Sequence, residues 1–115
     1  MTTKQLRHCS AHVNINEGMF CNSYELVSYR TPVAMLGMID GTIVDDNGVE
    51  HEHHGMALLL GENYDCSNTT MMHVRKFCED YVGVPATIAD LRNALKNDGT
   101  IGYGYGVAVY RASWA

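Results

Sequence analysis

The chain has 115 residues, of which 46% are hydrophobic and 18% charged, and carries a formal charge of −5 at pH 7. That length suits one domain with its own core, and the apolar share excludes a disordered chain. Only eight Lys and Arg residues are scattered along it, which excludes the clustered basic footprint of direct nucleic-acid binding and fits a partner that is itself basic.

No repeat or linker divides residues 1–115, so a single domain is expected. The longest uninterrupted apolar run, residues 56–60, falls far short of the roughly 20 needed to cross a bilayer. The first residues lead into polar Arg7-His8-Cys9-Ser10 instead of an apolar stretch with a cleavage site. A cytoplasmic location is therefore expected, with Cys9, Cys21, Cys66 and Cys78 as free thiols.

In chain order, Val13 and Ile15 alternate with His12, Asn14 and Asn16, a period-two pattern that suits an edge strand. Residues 24–29 have strand composition, Thr31-Pro32 interrupts them, and the apolar stretch 33–39 reads as a buried central strand. Asp40-Gly41 predicts a turn, residues 42–44 a short strand, and Asp46-Asn47-Gly48 a hairpin with a type I′ turn. The returning strand carries Glu50-His51-Glu52-His53-His54, and residues 56–60 predict another buried strand.

Two helices follow. Ser67 or Asn68 caps the first, whose apolar stripe is Met71, Val74, Cys78, Tyr81 and Val82, with His73 on its polar side, and Gly83 and Pro85 end it. Thr87 and Asp90 form a capping box for the second, Ile88, Leu91 and Leu95 face inward, and Gly99 stops it. Residues 101–110 predict a last strand, with Tyr103 and Tyr105 on a large face and glycines on a bare one. The expected fold is α+β: an antiparallel sheet of about five strands with two helices packed on one face.

On a strand, His51 and His53 project from one face and could bind one zinc ion, given further donors such as Asp45, Cys9, His12 or Cys21. His8, Cys9 and His12 form a second donor cluster. Cys66 precedes a helix N-terminus, where amide dipoles favour a thiolate, whereas Cys78 lies on the apolar stripe and is expected to be inert. Gly102 to Gly106 is no phosphate loop, because no helix starts after it.

Ser28, Tyr29, Thr31, Val33 and Ala34, followed by Ser67, Thr69, Thr70, His73 and Phe77, resemble a family of short uncharacterised proteins carried by phages and plasmids. In that family a Ser-Tyr-x-Thr-x-Val-Ala strand precedes Ser-x-Thr-Thr-x-x-His and a helix. The resemblance implies a mobile-element origin and suggests an anti-defence role, anti-CRISPR-like inhibition being one form. The expected function is a non-enzymatic inhibitor acting through a protein interface, with zinc binding as the alternative. Asp45, Asp46, Glu50 and Glu52 would meet a basic surface on a host protein or nucleoprotein complex, Tyr103 and Tyr105 would support the interface, and a homodimer is possible.

Overall fold

Residues suited to a pleated surface dominate positions 11–60, and that half of the chain folds into successive antiparallel strands. The computed structural model describes residues 2–6, 10–18, 21–102 and 106–114. The strands are β1 (Thr2–Gln5), β2 (Ala11–Asn16), β3 (Ser23–Ser28), β4 (Thr31–Val44), β5 (Glu50–Leu60), β6 (Thr100–Ile101) and β7 (Val107–Arg111). They form one seven-stranded sheet in the order β1-β2-β3-β4-β5-β7-β6. The fold is α+β, but the sheet exceeds the five strands expected and is mixed, since β7 runs parallel to β5. A parallel neighbour requires a long crossover, and both helices supply it.

Helix α1 (Asn68–Phe77) is capped by Ser67, whose hydroxyl accepts from the Thr70 amide, and continues as a wider turn over Cys78–Val82 that Gly83 closes. Helix α2 (Ile88–Asn93) carries the expected Thr87–Asp90 capping box and widens over Ala94–Asp98. Val74, Phe77 and Leu91 pack onto Leu26, Leu36, Leu58 and Leu60 from one face of the sheet.

Among the described residues, none from a helix belongs to the smaller cluster on the opposite face, where Ile43, Ala57, Leu59 and Ala112 are buried with Trp114 and Tyr110 against them. The β4–β5 hairpin itself covers that face. Straight, the chain from Ala34 to Asp46 would span roughly 40 Å. Yet the Asp46 amide donates to the Arg111 carbonyl at 2.9 Å, and Arg111 lies beside Leu60, the cross-strand partner of Ala34. The hairpin is therefore doubled over. Gly41 (φ 146°) and Gly55 (φ 142°) lie at the fold, a backbone conformation that side chains disfavour.

Several sequence expectations are corrected here. Asp40-Gly41 makes a bend inside one long strand, not a turn between two, and Gly55 likewise sits within β5. The first interruption is the two-residue turn Tyr29-Arg30, with Pro32 inside β4 beside a bulge at Leu26/Val27. β2 is internal, with β1 outside it. The hairpin end is a three-residue loop instead of a type I′ turn: Gly48 has φ 80°, Asn47 has no positive φ, and Asp45 pairs with Val49. The last strand is two short ones, because positive φ at Gly102 and Gly106 turns the chain back. Tyr103 and Tyr105 lie outside the described residues.

Candidate functional site

The doubled hairpin forms a flap whose two faces differ, as period two requires. Ile43 pairs with His51 and Gly41 with His53, so these positions face the sheet. Thr42 and Val44 pair with Glu52 and Glu50 on the outer face, and all four are exposed.

Asp45 organises the tip. Its Oδ1 accepts from the Asn47 and Val49 amides at 2.9 Å each, and its Oδ2 accepts from His51 Nε2 at 2.8 Å. The His51 bond, then that from Val49, holds the Asp45 carboxyl below its ordinary range. Of the four acids expected to meet a partner, Asp45 is thus engaged inside the turn, while Asp46, Glu50 and Glu52 are exposed. Val44 and Val49, exposed to 50% and 52%, sit among these carboxylates as uncovered apolar surface.

His51 and His53 do share a face, with ring centroids 5.1 and 5.5 Å from that of Tyr110. Their nitrogens have other work. A carbonyl only accepts, so His53 donates from Nε2 to the Met56 carbonyl at 3.2 Å and in its neutral form accepts at Nδ1 from the Tyr110 hydroxyl at 3.2 Å. His54 pairs with Asp40 on the exposed side. Among the described residues no three His, Cys, Asp or Glu side chains are grouped to hold a metal ion, so the zinc expectation finds no third donor there. His8 and Cys9 lie outside the described residues.

The cysteines differ in burial. Cys78 is fully buried and its thiol is pushed up to about 12, chiefly by desolvation. Cys66 is exposed, and its sulfur lies 3.6 Å from Thr70 Oγ1, to which it donates. Cys21 is half-buried, and all three described cysteines are free.

Sequence reasoning missed a polar knot beneath Tyr29. His73, expected on the polar side of its helix, has no exposed surface. The inward face of α1 is Thr70, His73, Val74 and Phe77; this spacing was readable, but polar Thr70 and His73 disguised it. His73 Nδ1 lies 2.8 Å from Ser28 Oγ, which lies 3.2 Å from Thr70 Oγ1, which accepts from the Ser67 hydroxyl at 3.1 Å. His73 Nε2 is buried without a hydrogen-bond partner, and burial, with Lys76 nearby, pushes the imidazole pKa down.

Tyr29 covers the knot, its ring centroid 5.8 Å from that of His73. It is the one non-glycine residue with positive φ (57°) among those described. Ser28, Tyr29, Ser67, Thr70 and His73, all among the residues that carry the family resemblance, thus meet in one place. A serine hydrogen-bonded to a histidine is the beginning of a nucleophilic site. Here both are sealed, with Ser28 3% exposed, and neither lines the open grooves of 540 to 740 Å³ found among the described residues. The knot is part of the core, and the flap is the candidate functional surface. No protein-family model, curated protein or solved structure matches the chain.

Proposed function

We propose that this protein works by binding: a non-enzymatic inhibitor of mobile-element origin, anti-CRISPR-like in kind, that occludes a basic surface on a host defence component. The observation that carries the reading is the exposed end of the flap, where Val44 and Val49, 50% and 52% exposed, lie within a few residues of the exposed acids Asp46, Glu50 and Glu52. Exposed apolar side chains supply affinity, and nearby charge supplies encounter rate and partner choice. A net charge of −5 extends that attraction beyond the contact itself.

The test is capture of host proteins from lysate, identification by mass spectrometry, and repetition with Asp46, Glu50 and Glu52 all changed to Lys. A partner retained by the natural flap and lost by the reversed one at physiological salt supports the reading. A partner held equally by both removes it.

A further inference from the structure

Trp114 is the chain's only tryptophan. Its indole N–H donates to Glu25 Oε2 at 2.8 Å, and its ring lies over Gly61, where an added Cβ would stand 3.4 Å from it. A groove of about 540 Å³ opens along it between the flap tip and the start of β4, with Pro32, Val44, Leu60 and Ala112 as further apolar lining. Four acidic residues line this groove, Glu25, Asp45, Asp46 and Glu62, against one cation among its described lining residues, Arg111. Asp45 is held inside the turn and Glu25 accepts from Trp114 and Asn14, which leaves Asp46 and Glu62 as the acids for a ligand. Arg111 is already paired with Asp46 at 3.3 Å and donates to the Glu62 carbonyl at 3.4 Å. A second groove of about 740 Å³ shares Trp114 and Glu25 with it and is lined further by Met35, Met38, Ile39 and Asp40, with no Lys, Arg or His among its described lining residues.

An apolar, indole-walled groove under surplus carboxylates discriminates by chemistry. Phosphate-bearing ligands are repelled, and a purely apolar segment leaves the carboxylates with nothing to pair. A guanidinium answers both features, because it is planar, weakly hydrated, stacks on aromatic faces and binds carboxylates through two N–H groups. We propose that the groove beside Trp114 seats an arginine from a basic segment of a partner protein, its guanidinium against the indole and its N–H groups on the groove carboxylates. This rests on the binding reading and names the side chain that the binding surface takes.

Trp114 is also the reporter. Hepta-arginine peptide titrated into the whole protein at physiological salt should shift tryptophan emission saturably, and hepta-lysine should bind more weakly. Asp46→Asn with Glu62→Gln should weaken hepta-arginine about tenfold, whereas Glu50→Gln with Glu52→Gln, on the outer face, should change it less than about twofold. Trp114→Phe, checked for folding by thermal melting and assayed with labelled peptide, should still bind, since a ring remains.

Unchanged emission, the same shift with hepta-glutamate, or equal weakening by the two carboxylate pairs would overturn the proposal. So would an emission change that tracks protein concentration without peptide, because a second copy would then fill the groove. A lysate partner lost on flap reversal beside a silent Trp114 would retire the groove and leave the binding reading. A responding Trp114 beside a partner indifferent to reversal would do the opposite.

Discussion

Beneath Tyr29, polar side chains leave water entirely and bond to one another; on the flap, they bond to one another with one side in water. Ser28, Thr70 and His73 are all buried, whereas His51, His53 and Asp45 are only half-buried. The same residue types thus serve opposite ends. In the knot, loss of one member strands another without solvent to replace it, so the cluster fixes how α1 docks on β3. On the flap, water substitutes for a lost partner, so the surface can carry charge at low cost to the fold.

The largest expected effect breaks the knot. His73→Ala removes a fully buried ring and leaves Ser28 one bond short, which should cost about 2–4 kcal/mol in urea denaturation. His53→Ala, on the flap, should cost about 1 kcal/mol. Equal losses from the two would abolish the distinction.

Acid separates them again. Buried His73 has its pKa below the ordinary 6.5, so the unfolded chain takes up a proton that the native state refuses. The native state has its full contribution above about pH 6.5 and loses it as pH falls from there toward the lower native value, at up to about 1.4 kcal/mol per pH unit. Asp45 has its pKa below the ordinary 3.8, so its contribution persists above that value and disappears only as pH falls through the depressed one. Stability followed from pH 7.5 to 5 should decline through the His73 window, and His73→Leu should remove that slope. A slope unchanged in His73→Leu would assign it to other groups.

The bend is next in size. At Gly55 an added Cβ meets nothing nearer than His53 Nε2 at 3.9 Å, so the obstacle is the backbone at φ 142° and not crowding. Gly55→Val should cost about 1–3 kcal/mol. It should also loosen the Asp46 amide bond to Arg111, seen as faster hydrogen exchange there than at core amides.

Which of this could be read from the sequence follows from the range of the forces. Ser67, Thr87–Asp90 and the strand alternation at 50–54 act over a few residues, and each was legible. The doubled hairpin was not, because Asp40-Gly41 reads locally as a turn; the pairing of residues 34–44 with 50–60 carries the strand through it, and the distant contact of Asp46 with Arg111 doubles it back. The parallel β5–β7 pairing and the short strands around Gly102 and Gly106 also depend on how distant segments meet. His73 was misplaced for a related reason: composition marks it as polar, and its partner Ser28 lies 45 residues away. At the site, the exposed acids were legible, whereas Asp45's withdrawal into the turn and the Glu25–Trp114 bond required the fold.

The smallest expected effect is the most telling for function. Glu50→Lys with Glu52→Lys reverses two exposed charges; Glu52 accepts from the Thr42 hydroxyl at 3.3 Å and lies 3.6 Å from exposed His54 Nε2, both contacts at the water-facing surface. Surface changes of this kind fall within about 0.5 kcal/mol, so the melting curve should barely move while partner binding falls. A fold that tolerates reversal of these charges does not need them for its own stability, and their presence around Val44 and Val49 then requires an explanation outside the chain. If the reversal instead destabilised the protein as much as Gly55→Val, the carboxylates would be holding the flap down, and the outer face would be structural in the same sense as the knot.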